Sequence, residues 1–335
     1  MCGSVLGLRA QLGHCDRYLR KTPHKQFQEF QPQSLLYFKK RDFKYGKEQV
    51  QSMSHPQLEE RSANGSKQGK NMDKILRGVV KYRQTVKKDL VAQFEEVRNN
   101  PKPTAVMFTC MDSRMLPTRF TQSKVGDMFV VRNAGNMIPE APNYGFSSEV
   151  SVTTEPAALE LAVKRGGINH IVVCGHSDCK AINTLYGLHQ CPKNFDVSSP
   201  MDQWVRNNGY QSIKKLNERL HKGAAKMTFN CEMSPNQSFE AIIDPMDRLP
   251  VEDKLSQVNV LQQLVNIASH SFLSEHFEKK KLFVHGMWFD IYKGEVYIFS
   301  REKKRFIVID DNSIDDLLKE LSQYAPAEPN PPKDE

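Results

Sequence analysis

Cys110-Met111-Asp112-Ser113-Arg114 brings a thiol, a carboxylate and a guanidinium into five residues. It closes an apolar run, Ala105-Val106-Met107-Phe108, that reads as a buried strand. Side chains two apart in an extended chain point the same way. Cys110 and Asp112 are therefore expected to face one spot, with Arg114 next on that side if the extension continues. A second cluster, His176-Ser177-Asp178-Cys179, follows the apolar run Ile171-Val172-Val173-Cys174-Gly175. His and Cys three apart can share one face of a helical turn. Two thiols, an imidazole and a carboxylate, each at the carboxyl end of a strand, make a tetrahedral zinc site plausible. Either cluster alone is a weak signal. Both together, 66 positions apart and each closing a strand, are much more specific.

The elements that must position these residues read as a parallel α/β sheet. Strands are expected at 105–108, Met128 to Arg132, Ile171 to Cys174 and Leu282 to Val284. Thr154-Glu155-Pro156 opens a helix with a cap, an early acid and a tolerated Pro, and Gly166-Gly167 closes it. A strand, a helix and a strand in succession predict a right-handed crossover. In such sheets ligands sit beyond the carboxyl ends of the strands, where both clusters fall. Lys293-Gly294 marks a hairpin into Glu295 to Phe299, and Arg305 to Asp310 reads as an edge strand. Helices are expected from Asp73, with Ile75, Leu76, Val79, Val80 and Tyr82 on one face, and through Leu90, Val91, Phe94 and Val97. A charged helix is expected from Tyr210 to Lys226, one long helix from Leu255 to Phe277, and a last helix capped by Ser313. Phe229 to Pro250 reads as irregular. Arg132, charged at a strand end, is expected to pair with a carboxylate. His285 reads as a packed strand residue, and His170, His189, His221, His270 and His276 as solvent-facing. Cys174 reads as core.

On these residues the sequence resembles the beta-class carbonic anhydrases. The resemblance extends to Gly126-Asp127-Met128-Phe129-Val130-Val131-Arg132-Asn133-Ala134-Gly135-Asn136 and to His285-Gly286-Met287-Trp288-Phe289-Asp290-Ile291 with Gly294. It spans roughly residues 72 to 310. Cys179-Lys180-Ala181, where bacterial and plant members carry Cys-Gly-Gly, is similar to the animal branch. The resemblance implies a mostly parallel central sheet flanked by helices, with N-terminal helices packed on a partner subunit in a homodimer or tetramer. It implies zinc held by Cys110, His176 and Cys179, and an Asp112–Arg114 dyad. In that family zinc-bound hydroxide converts carbon dioxide reversibly to bicarbonate and a proton, a lyase reaction. The arginine keeps the aspartate ionised and the aspartate orients the nucleophile. A closed, inactive form in which Asp112 itself ligates zinc also occurs there. The alternatives are a related zinc hydrolase acting on carbonyl sulfide or carbon disulfide, and a non-catalytic structural zinc domain. Met107 stands where some members carry the Trp of a regulatory bicarbonate site, so that site is not expected.

Composition narrows the class. Mean hydropathy is −0.57 and no apolar run approaches the ~20 residues that span a membrane. Of the net charge of +8, residues 1–71 carry +7, so a nucleic-acid footprint is absent from the body. Seven cysteines, an odd number, do not read as a disulfide framework and suit a reduced compartment. Residues 1–71 read as a disordered basic extension or transit peptide, because Arg9, Arg17, Arg20, Lys21 and Lys25 face one acid, Asp16, in the first 25 residues. This predicts a mitochondrial location, with cytoplasm as the alternative. The zinc domain is expected over 72–324, and a disordered Pro-rich tail over 325–335.

Overall fold

A computed structural model describes residues 70–141, 153–223 and 225–323 of the chain. Residues 1–69 of the expected extension and the Pro-rich tail lie outside the described residues. Two helices come first, α1 (Lys70–Thr85) and α2 (Lys87–Asn99). They carry the expected apolar residues, but among the described residues these enter no core. Ile75 and Leu76 are each 58% exposed, and Val79, Val80, Val91 and Phe94 are also exposed.

The sheet follows: β1 (Ala105–Cys110), the short α3 (Pro117–Phe120), and β2 (Met128–Asn133). Next come α4 (Thr154–Leu159), which continues as a π-helical turn through Arg165, and β3 (His170–His176). Then come α5 (Lys180–Gln190), α6 (Pro200–Lys222), β4 (Met227–Phe229) and β5 (Phe239–Ala241). The chain continues through α7 (Val251–Ala268), α8 (Ser271–Glu278), β6 (Phe283–Asp290), β7 (Glu295–Ser300), β8 (Arg305–Val308) and α9 (Ile314–Ser322). Six strands form one sheet in the order β2-β1-β3-β6-β7-β8. The first four are parallel, and β7 and β8 return antiparallel. The two inner strands β1 and β3 are buried on both faces, which explains their unbroken apolar runs, whereas the edge strand β2 is largely exposed. Val106 and Phe108 enter one core layer with Ile171, Val173 and Trp288, whereas Met107 enters the other with Cys174 and Leu185.

Several expectations change. The stretch 255–277 is two helices, because Ser269 Oγ donates to Asn266 O at 2.6 Å and His270 is extended. A hydroxyl that takes a helical carbonyl competes with the next backbone bond. The charged helix begins ten residues earlier than expected, at Pro200, with Ser199 Oγ accepting from Asp202 N at 3.2 Å. The excursion after α6 contains the antiparallel β4–β5 pair. Ser313 takes the N-cap position of α9, but its hydroxyl donates to Val308 O instead of capping the helix. His189 and His221 are exposed as expected. His270 is buried, and His276 and His170 are half-buried; His170 Nδ1 lies 3.0 Å from Nε2 of His285. Burial lowers the pKa of His285 to about 3 and also lowers that of His170.

Candidate metal centre and its aspartate–arginine pair

Cys110 is the last residue of β1, and His176 the last of β3, its neighbour in the sheet. Their side chains therefore reach the same sheet edge. Cys179 follows as the N-cap of α5. The link is not the expected helical turn. Asp178 has φ 51°, a left-handed residue that folds the chain back so that His176 and Cys179 converge. Gly175, just before His176, lets α7 pack closely on the strand, since a Cβ there would lie 2.6 Å from Val260 Cγ2.

Among the described residues, Cys110, His176 and Cys179 are the group of side chains whose ligand atoms lie within 4.8 Å of one another, and all three are buried. The two sulfurs are 3.8 Å apart. That is about the edge of a tetrahedron with zinc–sulfur bonds of ~2.3 Å. His176 Nδ1 donates to Ser177 O at 2.8 Å, which fixes the tautomer and leaves Nε2 as the lone pair. Nε2 is buried without a partner, a costly arrangement unless a metal takes it. The neighbouring Cys179 S–H draws the Cys110 thiol down against the opposing effect of burial, with backbone donors at Gly135 and Asp112 helping. Cys179 is pushed up by that same sulfur and by burial. Each sulfur is placed to stabilise a thiolate on the other, and a cation bound by both would displace their protons. Zinc fits this donor set. By contrast, Cys174 is fully buried and raised to about 12, an inert core thiol.

The chain beyond Cys110 turns instead of staying extended. Asp112 Oδ1 accepts from Arg114 N and Nε, both at 2.9 Å, and Oδ2 accepts from Nη2 at 2.7 Å. This bidentate pair holds the Asp112 carboxyl well below the usual carboxylate range. Arg132 anchors the turn. It donates from Nε to Cys110 O at 3.0 Å and from Nη2 to Asp112 O at 2.7 Å, so its partners are carbonyls and not the expected carboxylate.

The residues that sequence reasoning missed lie mainly on α7. Asp253 through Ala268 are buried, polar side chains included. Ser256 Oγ donates to His176 O at 2.7 Å and accepts from Trp288 Nε1. Asn259 Nδ2 donates to Gly135 O, Gln263 Oε1 accepts from Ile138 N, and Asn266 Nδ2 donates to Ile138 O. This polar ladder satisfies the backbone of the loop after β2, which runs beside the thiols. The one available signal was Asn and Gln at helical spacing on an otherwise apolar helix. Asp253 Oδ1 also accepts from Asp178 N at 2.8 Å. Asp290, at the end of β6, accepts from Ser177 Oγ at 3.4 Å.

Comparison with known proteins points the same way. A family model described as carbonic anhydrase matches residues 105–296. Beta carbonic anhydrase 1 of Caenorhabditis elegans is 74% identical over 255 residues, 76% of this chain and 94% of that protein. Its Caenorhabditis briggsae counterpart is 67% identical over the same length and shares. Among solved structures, the beta-carbonic anhydrase CcaA matches with TM-score 0.56 at 25% identity, over 72% of this chain and 94% of that one. The high identity spans the same strands and loops that bring the buried sulfurs and imidazole together, and so this chain belongs to the beta-class carbonic anhydrases.

Proposed function

We propose that Cys110, His176 and Cys179 hold the zinc with which this chain hydrates carbon dioxide, and that Asp112 and Arg114 are its catalytic dyad. Zinc supplies the Lewis acidity that makes water nucleophilic near neutral pH. Asp112 accepts a hydrogen bond from the attacking water and aims its lone pair at the carbon of the substrate. Arg114 keeps Asp112 ionised and turned toward itself. One observation carries this reading over a structural zinc site: both Asp112 oxygens are engaged by Arg114, and the metal-ligating trio forms without Asp112. A fourth protein ligand would leave no place for water. Stopped-flow hydration with zinc content measured on the same sample, for the wild type and an Arg114 variant, tests it.

A second copy of the chain is the partner that the N-terminal helices call for. The exposed apolar faces of α1 and α2, with exposed Phe129 and Val130 on the sheet's edge strand β2, support a homodimer or a larger assembly built on it. A chain beginning at Met72 is expected to sediment at twice its monomer mass or more at micromolar concentration; a monomer there contradicts the assembly. The basic, acid-poor first 25 residues support mitochondrial targeting. A reporter fused behind residues 1–71 should enter mitochondria, and diffuse cytosolic signal removes that assignment. Among the described residues no helix is long and apolar enough to cross a membrane.

A further inference from the structure

We propose that Asp178 is a positioning residue of this site: it grips the far edge of the Arg114 guanidinium and thereby keeps Asp112 turned away from the metal. The inference rests on the dyad reading above. Arg114 Nη1 donates to Asp178 Oδ2 at 2.9 Å, and Nη2 donates to the Asp178 carbonyl at 3.1 Å. The two aspartates do not compete for the same protons. Asp112 takes the Nε–H and one Nη2–H; Asp178 takes an Nη1–H and the other Nη2–H.

A second anchor matters because the Arg114 side chain is 39% exposed. An exposed arginine held by one carboxylate keeps much of its rotamer freedom, and its pair is screened by water. The fork is fixed once a separate loop holds its other edge. Asp178 is itself immobilised. Its backbone N–H donates to Asp253 Oδ1 at 2.8 Å, and Lys180 Nζ lies 2.8 Å from its Oδ1. Charges therefore alternate through Asp112, Arg114, Asp178 and Lys180, and the second carboxylate brings no net repulsion of Asp112. Asp178 sits between His176 and Cys179 in the chain. The turn that delivers two metal ligands from β3 thus also sets the arginine delivered by the loop after β1.

Asp178→Gly and Asp178→Asn test this. Glycine accepts a φ of 51° without strain, so it removes the carboxylate and leaves the turn. Asparagine also tolerates that conformation and keeps an acceptor oxygen without the charge. Both variants, Arg114→Ala and the wild type are loaded with cobalt(II), and their visible absorption, which reports the metal's ligand set, is recorded beside metal content and hydration kinetics. The expected result for Asp178→Gly is full metal content, a spectrum shifted toward that of Arg114→Ala, and a kcat about tenfold lower with little change in KM. Asp178→Asn should fall between glycine and wild type. A wild-type spectrum and rate in Asp178→Gly overturns the proposal. If that variant loses its metal, Asp178→Asn decides: a shifted spectrum supports the role and an unchanged one removes it. An Arg114→Ala protein with wild-type spectrum and turnover sinks the dyad itself, a failure distinct from an unchanged Asp178→Gly beside an altered Arg114→Ala.

Discussion

Arg114→Ala is expected to keep about one zinc per chain and to lose turnover by about 100-fold or more, the scale of removing a positioned acid–base group. The metal is expected to stay because none of the three proposed ligands is touched. Turnover falls because Asp112 loses both the Nε and Nη2 donors that occupy its oxygens. A freed Asp112 carboxylate would be available to ligate a metal held by the two cysteines and the histidine, and would then displace the reacting water. Asp112→Asn should reach a similar loss by another route. It too keeps the metal, but its amide can donate as well as accept, so the attacking water is held in the wrong orientation. A structural zinc site predicts the opposite pattern, in which loss of Asp112 weakens the metal and there is no activity to lose. Measured zinc and hydration rates for the two variants separate the readings. Unchanged turnover in Arg114→Ala would remove the dyad mechanism.

Cys179→Ala should have the other large effect, on metal and fold together. It leaves a single thiolate and one imidazole around a buried space, and zinc content is expected to drop about tenfold or more at micromolar protein. Stability should fall with it. A metal held by these three residues would join the ends of β1 and β3 to the start of α5, and a ligand that binds the native state alone stabilises it by mass action. Cys174→Ala is the control. That thiol is neutral and buried and is no part of the ligand trio, so the variant should keep full zinc and show only a modest packing cost of about 1 kcal/mol. Zinc analysis and thermal unfolding of both proteins read the difference. Full zinc in a variant with Cys110, His176 and Cys179 all replaced by alanine would overturn the ligand assignment.

The sequence alone singled out the candidate metal ligands and the strands that present them. Cys110 and His176 each terminate an apolar run long enough for one strand, and parallel strands deliver their carboxyl ends to one edge. Asp112 and Arg114 could be named for the same reason, being next along the chain. Local periodicity carries that information because side-chain direction along a strand or helix repeats over two to four residues. What makes those residues meet was decided in three dimensions. The turn at Asp112, the left-handed Asp178 and the guanidinium shared between them depend on backbone conformations that residue type constrains only weakly. The polar ladder on α7 is likewise tertiary. Asn259, Gln263 and Asn266 look like a solvated helix face until a loop more than a hundred residues earlier supplies the backbone groups they satisfy. Such pairings arise from packing between distant segments, and no repeat along the chain records them. The apolar faces of α1 and α2 complete the contrast: their period shows helices, but only the tertiary structure shows that the rest of the described residues leave those faces exposed.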